Sequence, residues 1–125
     1  ARNELAVAQR AGDYAKAFEQ QHGSPPDYTA AGCSAAGLVL QKAVEKLGQP
    51  PSLSDDNRGK LNDLIAQTDL QTFYGPIKFA TEGDHFHNNT ALNPMLVQIQ
   101  GGQVKAIAPP DAAQAKIIYP LPPLT

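Results

Sequence analysis

The sequence predicts a mixed α/β chain in which helices come first and antiparallel strands follow. Three observations carry this expectation. Tyr28 to Leu47 contains no proline and repeats apolar residues at helical spacing. Met95 to Gln100 and Gln103 to Ala108 alternate on either side of Gly101-Gly102, a residue pair suited to a two-residue hairpin turn. The helical segments of the first half also run consecutively, whereas an ordinary α/β chain alternates helices with strands.

Each element has its own warrant. Leu5 to Gln21 is rich in Ala, Glu, Gln and Lys, and Tyr14 and Phe18 fall on one helical face. Gly12 sets the regular start near Asp13, with Leu5 to Arg10 as a separate turn, and His22-Gly23 followed by Pro25-Pro26 ends the helix. In Tyr28 to Leu47 the expected buried stripe is Leu40, Ala43, Val44 and Leu47, with Gln41, Lys42, Glu45 and Lys46 in water. Its first half, Ala30 to Gly37, holds only small side chains, which suits close packing or a ligand-facing start. Ser52 or Ser54 caps a third helix from Asp55 to about Thr68, with Leu61, Leu64 and Ile65 inward. Asp69 to Tyr74 reads as a connector and Ile77 to Phe79 as a short strand. Glu82-Gly83-Asp84 reads as a turn. After the hairpin, Pro109-Pro110 stops the last strand, and Ala115 to Tyr119 is an extended or short helical piece. The expected division falls at 1–92 and 93–125.

Composition excludes several classes of function. The 125 residues carry a net charge of −2, so no basic field exists for nucleic acid or an anionic membrane surface. One cysteine, Cys33, allows neither an intramolecular disulfide nor a Cys-rich metal cage. No apolar run approaches the roughly 20 residues that cross a bilayer. No signal peptide is visible, and the missing initiator Met leads to the expectation of a processed chain or a piece of a longer one.

Candidate chemistry is sparse. His85 and His87 can share one side of a strand as a metal pair would, but only Asp84 or Glu82 could complete the set, so a solvated polar loop is the expectation. Asn88-Asn89-Thr90 fits a glycosylation sequon. Cys33 beside Ser34 lacks a histidine in any recognisable triad, so it reads as a small packing residue. No glycine-rich phosphate loop precedes a helix. No catalytic residue, metal site or cofactor is therefore expected.

A series of short motifs runs along nearly the whole chain. Tyr14 and Phe18 precede Gly23-Ser-Pro-Pro26. The small-residue helix ends in Ala43-Val-Glu-Lys46-Leu-Gly48. Arg58, Leu61 and Leu64 are followed by Gly75, Phe79 and Gly83 at Gly-x-x-x-Phe-x-x-x-Gly spacing, then by Val97-Gln-Ile-Gln100-Gly. In this order the motifs resemble the C-terminal portion of type I periplasmic solute-binding proteins, the Leu/Ile/Val-binding-like receptors of ABC importers. Phe73-Tyr-Gly-Pro76, Asn93-Pro-Met95 and Ile118-Tyr-Pro120 resemble the subgroup for branched-chain amino acids, short carboxylic acids or aromatic acids. The chain departs from the pattern in its His-rich Asp84 to Thr90 and at Cys33-Ser34, where an aromatic residue is common.

The resemblance implies a fold of two Rossmann-like lobes that close on solute like a hinged clamp. It implies that residues up to 92 serve the first lobe, that the chain crosses near Asn93-Pro94, and that 93–125 serve the second. It implies a periplasmic or membrane-tethered extracytoplasmic location. The implied partners are a small solute, a membrane permease, and either the N-terminal remainder of the receptor or a second copy. A ligand-sensing module of the same fold is the alternative. The implied solute-side residues lie at the start of the small-residue helix, where the N-terminus favours a carboxylate: Tyr28, Ala31 and Cys33.

Overall fold

The structure is a computed structural model that describes residues 10–50 and 54–120. Among these are three helices and two two-stranded antiparallel sheets, in the order α1 (Ala11–His22), α2 (Tyr28–Leu47), α3 (Asp55–Ala66), β1 (Asp69–Thr72), β2 (Gly75–Lys78), β3 (Leu96–Gln100) and β4 (Gln103–Ala108). The chain divides into two compact units, Ala1–Leu92 and Asn93–Thr125.

In the first unit the helix ends follow their local chemistry. Gly23 takes a left-handed conformation at φ 78° and closes α1 by donating to the Glu19 carbonyl. Asp27 caps α2 through its carboxylate, which accepts from the Ala30 amide at 2.7 Å. Ser54 caps α3 at the Asn57 amide. α3 stops at Ala66, two residues short of the sequence expectation, and the Thr68 hydroxyl turns back to donate to the Ile65 carbonyl. Ser52 and the Leu5–Gln9 part of the first predicted segment lie outside the described residues.

The core assembles around Tyr14. Its ring stacks on Phe73 with centroids 4.0 Å apart and planes 11° from parallel, while its hydroxyl meets the Ser34 hydroxyl at 3.0 Å. Ala35 and Val39 of α2 and Ile77 of β2 complete the buried cluster. Ala43 and Leu38 are also buried, and Val44 and Leu47 are half-buried. Leu40 is 48% exposed, so the stripe expected from Leu40 is displaced toward Ala35 and Val39. The reason is angular. Leu40 is about 100° around the helix from Val39, which already faces the core.

Asp69 to Tyr74 is not a connector. Asp69–Thr72 pairs with Gly75–Lys78 as a hairpin around Phe73-Tyr74. The turn lacks Asn or Gly at its centre, and the positive φ falls one residue later, at Gly75 (φ 115°). A Cβ at Gly75 would lie 2.7 Å from Leu92 Cδ1, so glycine answers both the dihedral and the space. The outer edge of β2 is occupied by the following loop. Asn89 accepts from the Lys78 amide at 3.0 Å and donates to the Pro76 carbonyl at 3.2 Å, and the Thr90 amide donates to the Lys78 carbonyl at 3.0 Å.

In the second unit, β3 and β4 pair as expected across Gly101-Gly102, both left-handed (φ 59° and 75°), as a type I′ turn requires. A bulge sits between Leu96 and Val97. Ala115 to Tyr119 is neither strand nor helix. It is a strap held by side chains: Gln98 exchanges two hydrogen bonds of 3.0 Å with the backbone of Ile118, and Gln100 donates to the Lys116 carbonyl at 2.8 Å.

Surface charges are locally paired. A hydrogen bond from Arg10 holds the Asp13 carboxyl below the usual carboxylate range, and Lys42 with Gln41 does the same for Glu45. Asp69 raises the Lys78 ammonium above its ordinary value. All are exposed, so these pairs contribute little to stability.

Two expectations follow for urea unfolding. Tyr14→Phe loses about 1 kcal/mol with the Ser34 hydrogen bond, and Tyr14→Ala loses roughly 3–5 kcal/mol with the ring. Gly75→Ala destabilises through its clash and its dihedral, whereas Gly37→Ala, in open space within α2, stabilises by up to about 1 kcal/mol.

Candidate functional site

The start of α2 carries all three residues expected on the solute side. Tyr28, its first residue, is 84% exposed. Ala31 is half-buried and packs against the Tyr14 cluster. Cys33 is an exposed free thiol. At 100° per residue, Ala31 and Cys33 point to nearly opposite sides of the helix, so the three do not converge on one surface. The sequence reading also left out Asp27. Its carboxylate already occupies the positive end of α2, where an incoming carboxylate would meet a like charge.

The concave surface of this unit lies further along the helix. A cleft of about 300 Å³ runs beside the α2 row Gly32, Ala36 and Leu40, and its opposite wall includes Ile77, Phe79 and Tyr74. Leucine spacing could not reveal it, because its floor is made by the small residues that sequence reasoning assigned either to tight packing or to a ligand. Two polar side chains reach it. Asn89 has its amide committed to Lys78, Ala91 and Pro76. Among the described residues the Tyr74 hydroxyl has no hydrogen-bond partner. The cleft is thus apolar with one available hydroxyl. It can accept apolar surface or an approaching backbone, and its described lining holds no acid, base or nucleophile pair.

No family model, curated protein or solved structure matches the chain.

A second hollow of about 160 Å³ shares Ile65 and Phe79 with the first and ends at Asn62 and His87. His87 is left-handed (φ 69°) and stacks on Phe86 at 3.6 Å. Its amide donates to the Ala80 carbonyl at 2.9 Å. Among the described residues no three His, Cys, Asp or Glu side chains come close enough to hold a metal ion. The sequon residues have structural tasks: the Asn88 carbonyl accepts from Ala80, and Asn89 and Thr90 seal the edge of β2. Among the described residues no helix is long and apolar enough to cross a membrane.

If the cleft is open in the free chain, polar substitution at its rim costs little. Leu40→Ser should change the unfolding free energy by about 0.5 kcal/mol or less. Val39→Ala, one residue away and buried, should cost about 2 kcal/mol. Paired urea melts of the two variants check this, and equal losses would mean Leu40 is buried after all.

Proposed function

We propose that this chain is part of an extracytoplasmic solute-binding receptor that delivers an amino acid, a carboxylic acid or an aromatic acid to a membrane permease. The observation that carries this reading is the uncovered apolar cleft along α2. Helices α2 and α3 pack on each other beside a sheet of only two strands, and two strands are too few to cover both. The motif order from Tyr14 to Gly102 supports the same reading, since it resembles receptors whose helices flank a larger sheet.

In this reading the solute is held between two lobes, and the lobes close over it. Of the three expected residues, Tyr28 at the start of α2 is the exposed side chain that would face the solute, whereas Cys33 lies on another side of the helix and Ala31 packs against the Tyr14 cluster. The Asp27 carboxylate favours the amino group of an amino-acid solute over a bare carboxylate at this helix end.

Calorimetry on two forms tests the proposal. The intact receptor should bind leucine more tightly than benzoate, and Tyr28→Ala should weaken the binding of either. The 125-residue chain should give no binding heat, because it supplies only part of a clamp. Tight binding by the 125-residue chain would sink the clamp argument, and an intact protein silent toward both classes would sink the receptor reading.

A further inference from the structure

We infer that the outer edge of β3 pairs antiparallel with the same edge of a second copy of this chain, joining two hairpins into one four-stranded sheet. The argument begins with the direction of the backbone groups. Gln114 bonds both outward groups of Ala106: its amide donates to the Ala106 carbonyl at 2.8 Å, and its side chain accepts from the Ala106 amide at 3.2 Å. Ala106 therefore points away from β3, and its cross-strand partner Val97 points away from β4. Two residues on, Ile99 opposite Val104 does the same. Among the described residues no hydrogen bond reaches these outward groups of Val97 and Ile99.

The other edges are managed. β2 is sealed by Asn89 and Thr90. β4 is sealed by Gln114 and followed by Pro109-Pro110. β1 is four residues long and carries a charge at Asp69. Short strands, charges and prolines are the usual protections of an edge. β3, Leu-Val-Gln-Ile-Gln, is five residues long and carries no charge, and Pro94 and a bulge lie only at its Leu96 end. The 115–119 strap is held by the Gln98 and Gln100 side chains and, among the described residues, not by the outer backbone groups of β3. The residues that carry those groups are apolar and exposed, Val97 at 50% and Ile99 at 74%.

The register selects the occupant. A two-fold axis at Gln98 sets Val97 of one copy opposite Ile99 of the other, and both residues have outward donors and acceptors. Every outward group of the two strands is then used, with no charged residue at the seam. Val97, Ile99 and Val104 of both copies share one face, so apolar surface is also gained. Because only one such edge exists among the described residues of each copy, the pairing closes at a dimer. It does not depend on the receptor reading.

Sedimentation of the 125-residue chain over a dilution series, with amide hydrogen exchange followed at Val97 and Ile99, tests the pairing. A concentration-dependent dimer is expected, with both amides exchanging more slowly in the dimer. Ile99→Pro removes an outward N–H without removing a bond between β3 and β4, and should raise the dissociation constant roughly tenfold or more. Val97→Lys keeps every ladder bond, places a charge at the seam, and should act in the same direction even if the proline variant fails to fold. A monomer at every concentration overturns the inference. So does a dimer whose Val97 and Ile99 amides exchange as fast as in the monomer, a dimer indifferent to Val97→Lys, or association that grows without closing.

Discussion

The first unit depends on where the Tyr14 ring lies. One side chain ties three segments far apart in sequence: its ring stacks on Phe73 in the β1–β2 turn, and its hydroxyl reaches Ser34 in α2. A stacked aromatic pair adds about 0.5–1.5 kcal/mol beyond the area it buries, and the hydroxyl is placed so that burial leaves no unpaired polar atom. Phe73 can reach the ring only because the hairpin turn is built from Phe73-Tyr74. That turn in turn needs Gly75 in its left-handed conformation with Leu92 against its backbone. The small residues at the start of α2 let the tyrosine approach: Ser34 and Ala35 are the side of the helix it meets.

Amide side chains recur as substitutes for missing strands. Asn89 bonds the outward backbone groups of β2 as a third strand would. Gln114 does so for β4 at Ala106, its side-chain oxygen accepting and its backbone amide donating, and the Gln98 side chain bonds both backbone groups of Ile118 without using the β3 backbone. An amide carries a donor and an acceptor side by side, as a peptide group does, so one residue can satisfy a strand position that would otherwise face solvent unpaired. Two-stranded hairpins are marginal in water, and these clips fix each hairpin to a neighbouring segment of its own unit.

What the sequence revealed depended on whether the cause was local. Helix α2 was legible to the residue because Pro25-Pro26 just before it and Gly48 just after it bound a proline-free run with helical spacing. The β3–β4 hairpin was legible because Gly101-Gly102 announces its turn chemistry. β1 was not, because its turn is Phe73-Tyr74, where Phe73 is placed by packing on Tyr14, a partner 59 positions away. Leu40 was misplaced for a related reason. A helix with apolar residues at 38, 39 and 40 has more than one possible inward face, and the choice is made by Tyr14 and Ile77, not by spacing. The proposed solute-side residues rest on the resemblance, and periodicity alone could not show that Ala31 turns inward while Cys33 turns out.

The glycines of α2 bear on what the cleft is for. Each costs about 1 kcal/mol in a helix relative to alanine, so a position that retains one needs a reason. The chain's own packing supplies none at Gly37, where a Cβ would meet nothing within 4 Å. At Gly32 a Cβ would make only ordinary contact with the Tyr74 hydroxyl at 3.8 Å. Gly75 shows the contrast, since there the backbone conformation and Leu92 both demand the absence of a side chain. The internal contacts of this unit therefore account for Gly75 and leave Gly32 and Gly37 unaccounted for. Gly32 lines the same cleft as the exposed Leu40 and the Tyr74 hydroxyl, which has no hydrogen-bond partner among the described residues. Gly32 thus keeps α2 thin where the apolar cleft runs, and a side chain there would narrow the cleft beside the Tyr74 ring.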